Sequence, residues 1–139
     1  FNDIPKGNYV VSRYIDKPLL IYGYKFDLRI YVSITSINPL RIYMYKEGLV
    51  RFATAKYSNT SKNNRFKHLT NYSINKNSSN FVEHTNPADH SQGSKWSISA
   101  FRKLLKEKKI NDELIFDRIK DIIIKTILSI EGLMFNAAE

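Results

Sequence analysis

Lys25-Phe26-Asp27-Leu28-Arg29-Ile30-Tyr31-Val32-Ser33-Ile34-Thr35-Ser36-Ile37 is the stretch whose reading decides the fold. Successive side chains of a strand point to opposite faces, so a period of two sorts these residues into two rows. Phe26, Leu28, Ile30, Val32 and Ile34 form an apolar face, and Lys25, Asp27, Arg29 and Tyr31 share the other. Asn38-Pro39 reads as a turn, after which Leu40 to Tyr45 alternates again, with Ile42 and Met44 opposed to Arg41, Tyr43 and Tyr45. This predicts an antiparallel hairpin. Glu47-Gly48 predicts a second turn into a strand over Leu49 to Thr54. Upstream, Tyr9 to Ile15 is a shorter strand candidate whose pairing is limited by Pro18.

Downstream, Ser58 to Lys67 is polar and reads as a loop, and Asn71 to Gln92 is rich in Asn and Ser. From Ser94 the period changes. Trp96, Ala100, Phe101, Leu104 and Leu105 fall at helical spacing, with Ser94 or Ser97 available as N-cap. A second helix from about Asp112 places Ile115, Ile119, Ile122, Ile123, Ile127 and Ile130 on one stripe. Antiparallel strands followed by two helices predict an α+β fold and not a doubly wound parallel sheet. The chain shows neither an internal repeat nor a low-complexity tract.

At 139 residues, 42% of them hydrophobic, the chain is the size of one domain, or part of one, with a real core. Its 22 Lys and Arg outnumber 13 Asp and Glu, giving +9 and a field that attracts nucleic acid, nucleotide phosphates or acidic protein tails. The absence of cysteine excludes disulfides and thiolate metal sites, and His68, His84 and His90 lack a zinc-ligand spacing. The default compartment is cytoplasmic. Ile122 to Phe135 is interrupted by Lys125, Thr126, Ser129 and Glu131 and is too short for a bilayer core of roughly 30 Å, so no membrane partner is expected. No signal peptide is legible. The start at Phe1 and the stop at Ala137-Ala138-Glu139, within a helical pattern, read as an internal fragment.

Alternation sets Lys25, Asp27 and Arg29 in a row about 7 Å apart on a strand whose other face is core. Such a row suits a nucleotide, with lysine toward base or phosphates, aspartate toward ribose hydroxyls and arginine toward the terminal phosphate. The bland alternative is a solvated face with cross-strand ion pairs. Arg41 and Arg51 follow on the next strands and could converge on the same side, where a planar guanidinium would bind carboxylate or phosphate, or simply decorate the surface. His68-Leu69-Thr70-Asn71-Tyr72-Ser73 suits a site-lining loop or a plain turn. Trp96 reads as core, and Lys103 to Lys109 as a solvated basic helix face. There is no Gly-rich phosphate loop, nucleophile elbow or triad context.

Four motifs, taken in order, resemble the tubulin tyrosine ligase-like family: Gly23-Tyr24-Lys25-Phe26-Asp27-Leu28-Arg29-Ile30-Tyr31, Asn38-Pro39-Leu40-Arg41-Ile42-Tyr43, Glu47-Gly48-Leu49-Val50-Arg51-Phe52 and His68-Leu69-Thr70-Asn71-Tyr72-Ser73-Ile74-Asn75-Lys76. Gly93-Ser94-Lys95-Trp96-Ser97 and the last helix resemble its glutamate-adding branch, the tubulin polyglutamylases. The resemblance implies that residues 1–139 are part of an ATP-grasp fold. It implies that Arg13-Tyr14-Ile15 is the hinge whose backbone meets adenine, and that Lys25 and Asp27 are adenine- and ribose-side contacts. Arg29 becomes the phosphate-side arginine, Thr70 and Asn71 nucleotide contacts, and Arg51 the receiver of the incoming amino acid's carboxylate. Tyr72, Ser73 and Lys95 become candidates for the glutamate pocket. Ser12 departs from the glutamine usual in the family. The family's glycine-rich loop lies upstream of this sequence, and its aspartate and Glu-x-Asn magnesium ligands lie downstream.

The function so implied is ATP- and magnesium-dependent addition of free glutamate to glutamate side chains of tubulin tails, through an acyl phosphate. Tubulin and microtubules are the implied partners, in the cytoplasm and cytoskeleton, including cilium, flagellum or basal body. A site of Lys, Arg, Asp and Asn without a nucleophile fits chemistry done by positioning and charge stabilisation. Two alternatives stand beside it. A nucleic-acid-binding module draws on nine tyrosines, eight phenylalanines and a pI near 9.7, but needs aromatics gathered on one sheet face. A catalytically inactive, microtubule-binding relative would need only the surface charge.

Overall fold

The computed structural model describes residues 7–60, 63–83 and 93–138; His84, His90, the rest of the segment 84–92 and residues 61–62 of the polar stretch lie outside them, as do both chain ends. The order of elements is β1 (Phe26–Ile37), β2 (Leu40–Phe52), α1 (Arg65–His68), α2 (Tyr72–Asn75), β3 (Lys95–Ser97), α3 (Ile98–Glu107), α4 (Asp112–Leu128) and α5 (Glu131–Ala138). The three strands form one antiparallel sheet in the order β1-β2-β3. This is the mixed, antiparallel arrangement expected, although three helices follow the sheet instead of two.

A two-residue turn aims β1. Tyr22 and Gly23 both take positive φ, and Ile21 and Tyr24 exchange backbone hydrogen bonds of 3.1 and 2.9 Å across them, so Lys25 enters the strand from a fixed corner. The hairpin turns at Asn38-Pro39 as expected. The expected second turn at Glu47-Gly48 is absent, because β2 runs unbroken to Phe52. The ladder shifts register there, between Ile30 and Val32, and a side chain at position 48 would collide with the Arg29 carbonyl oxygen. Glycine here permits close approach of two backbones within a strand, not a reversal.

The inner face of the sheet meets α3. Val50, Phe52, Ile98, Phe101, Leu104, Leu105, Ile21 and Phe116 form the buried cluster, with Phe26, Leu28, Ile30 and Trp96 packed against it. Ring centroids of Phe26 and Phe101 are 5.1 Å apart, and those of Phe52 and Trp96 5.0 Å, so Trp96 is core as expected. It sits in β3, however, and not in the helix. The helix starts one residue past Ser97, whose hydroxyl caps the Ala100 amide at 3.1 Å. In α4, capped by Asn111, Ile115, Ile119, Ile123 and Ile127 hold the inner stripe. Ile122 is 62% exposed because about 100° per residue carries it to the rim of that stripe, and Ile130 lies beyond the helix end. Arg102 pairs with Asp112 at 2.6 Å, tying α3 to α4 and holding the aspartate below its usual range.

Tyr9 to Ile15 forms no strand: these residues are exposed and join no ladder among the described residues. No helix among them is long and apolar enough to cross a membrane.

Candidate functional site

Two rows of side chains cross at Asp27. Along β1 runs Lys25, Asp27, Arg29. Across the sheet runs a second row, because the register sets Asp27 opposite Arg51 and Arg51 opposite Lys95. Neighbouring strands are about 4.8 Å apart, so one residue from each strand lies side by side on the same face. Arg51 grips Asp27 with both sides of its fork: Nε is 3.0 Å from Oδ1, and Nη2 is 2.5 Å from Oδ2. This contact raises the Arg51 pKa above its already high ordinary value. The cross-strand ion pair that was the bland reading of the row is therefore present.

Lys95 faces Arg51 as a like charge, which destabilises a strand pair unless something else absorbs it. Asp27 does so on one flank and Tyr72 on the other, with the Lys95 ammonium 4.6 Å from the Tyr72 ring centre. Lys76 approaches the same ring at 6.0 Å, and Phe81 meets it edge-on at 5.8 Å. Arg51, Thr70, Tyr72, Asn75, Phe81 and Lys95 thus line one narrow recess of about 10 Å³, the room of a single water molecule. Four of the expected residues, Arg51, Thr70, Tyr72 and Lys95, meet there. Asn71 starts α2 beside them. Ser73 does not join them; it lines a separate open groove with Asn63, Asn64, Arg65 and Asn77.

At the other end of the β1 row a wider cleft, about 660 Å³, is lined by Arg13, Tyr14, Asp16, Asn59 and His68. The Tyr14 hydroxyl lies 3.1 Å from His68 Nδ1 and 3.5 Å from both the Tyr57 hydroxyl and the Lys25 ammonium. Tyr57 reaches the Asp16 carbonyl at 2.9 Å and Asn59 Oδ1 at 2.8 Å. Hydrogen bonding to Tyr57, and then to Lys25, lowers the Tyr14 pKa, while the same contact pushes Tyr57 up to about 12. Ile15 is exposed beside this cleft. Arg29 is exposed and has no ion pair among the described residues. Arg41 does not converge on Arg51: the two lie at opposite ends of one strand, on the order of 30 Å apart.

Sequence reasoning missed Asn59 and Asp16 as cleft walls, Tyr57 as the hydroxyl that links them to Tyr14, and Asn75 and Phe81 as recess walls. The one available signal was the close spacing of Asn71, Tyr72 and Asn75, whose side chains share a turn of helix.

A profile of the family described as "Tubulin-tyrosine ligase family" matches residues 1–139. The chain belongs to the tubulin-tyrosine ligase family. Among its relatives in this family, the tubulin polyglutamylase TTLL5 of Mus musculus is 50% identical over 126 residues, 89% of this chain and 10% of that protein. The tubulin monoglutamylase TTLL4 of Mus musculus is 48% identical over 141 residues, 98% of this chain and 12% of that protein. The tubulin polyglutamylase ttll-5 of Caenorhabditis elegans is 41% identical over 140 residues, 98% of this chain and 19% of that protein. The chain therefore spans about a tenth to a fifth of the length of these relatives. Among the described residues, no three His, Asp or Glu side chains gather as a ligand set for a cation.

Proposed function

We propose that this chain is the part of an ATP-grasp ligase that joins free glutamate to glutamate side chains of acidic tubulin tails. The single observation that carries the reading is the cross-sheet row Asp27, Arg51, Lys95, which opens onto a recess walled by Thr70 and Tyr72. A small dicarboxylate with an amino group matches that charge pattern at the mouth of the recess: Arg51 and Lys95 offer two cations for two carboxylates, and the guanidinium edge that Asp27 leaves open suits the α-carboxylate. Relatives that are named tubulin polyglutamylases and monoglutamylases support the substrate. Tubulin, its microtubules and the cytoskeleton are accordingly the proposed partner and location.

ATP is assigned to the other end of the β1 row. The Tyr14 cleft is of ordinary ligand-pocket size, and Lys25 stands at its edge. Arg13, Tyr14 and Ile15 flank the base, Asp27 reaches the ribose, and Arg29, with no competing ion pair among the described residues, meets the phosphates. The chemistry takes two steps. The terminal phosphoryl group passes to a tail carboxylate, leaving ADP, and the amine of free glutamate displaces phosphate to form an isopeptide bond. A magnesium ion, held by residues outside those described here, would supply charge neutralisation on the phosphates. This chain's own work is to bind, orient and neutralise.

The test is Arg51. In the intact protein, Arg51→Ala should reduce glutamate transfer by about a thousandfold or more, with a much smaller change in nucleotide affinity through the Asp27 carboxylate that loses its partner. Arg51→Lys should recover little, since an ammonium cannot make two parallel bonds to a carboxylate. Full transfer by Arg51→Ala would sink the assignment.

A further inference from the structure

Asn75 is the last residue of α2 and is 1% exposed. Its Oδ1 accepts from the Thr54 amide at 3.0 Å and from the Thr54 hydroxyl at 2.8 Å, and its Nδ2 donates to the Leu69 carbonyl at 2.8 Å and the Asn71 carbonyl at 3.1 Å. A carboxamide has two N–H groups and two lone pairs on oxygen, so every hydrogen bond Asn75 can make is made. The residues it joins are functional neighbours. Thr54 leaves the end of β2 three residues after Arg51, and the two captured carbonyls belong to the peptide planes that lead into Thr70 and into Tyr72.

The surrounding backbone shows why a side chain is needed at this point. Ala53 donates to the Lys25 carbonyl at 2.9 Å and Ala55 to the Phe66 carbonyl at 3.0 Å. Three successive amides beyond β2 therefore go to three different segments, and the middle one is answered by Asn75 alone. A polar group buried here without partners would be costly, so the loop Leu69–Asn71 and the strand bearing Arg51 are held at one distance.

We propose that Asn75 is a positioning residue for the ligase site, setting Thr70 and Tyr72 against Arg51 and Lys95 through hydrogen bonds that leave it none to offer substrate. This rests on the glutamate-ligase reading and deepens it. Fold stability alone would also explain a buried amide, so the test separates geometry from folding. Asn75→Asp keeps the size and the oxygen that Thr54 bonds, but turns an acceptor toward two carbonyl oxygens. In the intact protein its KM for glutamate should rise about tenfold near neutral pH, with kcat changed by less than about threefold. Lowering the pH should bring KM back toward wild type, because protonating the introduced carboxyl restores one donor; wild type should show no such trend.

Thr54→Val, which removes one hydroxyl donor, should raise KM about twofold to threefold, and Thr54→Ser should restore it. This pair carries the test if Asn75→Asp does not fold. Unchanged KM at every pH in folded Asn75→Asp, or a lowered melting temperature with KM unchanged, would overturn the proposal, as would equal KM in Thr54→Val and wild type. Failure of the ligase reading looks different: folded wild type itself would transfer no glutamate.

Discussion

The cleft at Tyr14 is walled mostly by exposed side chains, joined by hydroxyl contacts and by edge-on rings around the half-buried His68, whereas the recess at Arg51 is built on two residues whose positions follow from backbone register. Arg13, Tyr14, Asp16 and Asn59 lie on segments without helix or strand, and their arrangement depends on hydroxyl contacts of 2.8 to 3.5 Å. Arg51 and Lys95 are fixed by the ladder, and the loop opposite them is fixed by Asn75. Surface contacts of the first kind rearrange at little cost, while sites on strands with a buried supporting bond are preorganised. The difference suits two ligands: a nucleotide that a flexible wall can close upon, and a small amino acid that must be aimed.

Asp27 is the residue that joins the two regions, so it should show the largest effect on nucleotide binding. Asp27→Asn should weaken nucleotide binding about tenfold to a hundredfold, the value of a hydrogen bond of roughly 1.5–3 kcal/mol to a charged group. It should also release Arg51 from its bidentate grip, so glutamate KM should change as well. Titration of a fluorescent ATP analogue together with steady-state kinetics checks both. An effect on glutamate alone would detach Asp27 from the nucleotide side and break the comparison.

A smaller effect is expected at the flexible wall. Tyr57→Phe removes the main cause of the lowered Tyr14 pKa, so the Tyr14 phenol should titrate closer to its ordinary value in ultraviolet absorbance of the phenolate. Nucleotide affinity should fall by only about twofold. The wild-type sign follows from the raised Tyr57 value: its contribution to stability is intact below about pH 10 and is lost as pH climbs toward 12. A loss of nucleotide affinity as large as that of Asp27→Asn would show the cleft to be as rigid as the recess.

The parts legible in the sequence were those written in long periods. Phe26 to Ile30 announced a face and a counter-face, though Val32 and Ile34, expected on the same apolar face, are exposed beyond the register shift; Asn38-Pro39 announced the hairpin, and Ile115 to Ile127 announced α4. Far less of the cross-sheet row could be read. β3 is three residues long, too short for alternation to register, and its approach to β2 depends on Gly48 letting the strand continue where a turn was expected. The same misplaced turn put Arg41 and Arg51 on different strands. Asn75 sits among other asparagines and serines, and nothing in its chemistry distinguishes a fully bonded amide from a solvated one until burial is known.

The central claim is that this chain belongs to a ligase that spends ATP to add glutamate to tubulin tails. The most direct measurement supplies the intact protein with labelled glutamate, ATP and tubulin, beside controls without ATP and with tubulin stripped of its C-terminal tails, and counts label retained on tubulin. Incorporation that requires both ATP and the tails is the expected result. Folded protein that incorporates no label under these conditions, while binding RNA tightly and with the steep salt dependence of phosphate contacts, would contradict the account in favour of a nucleic-acid module.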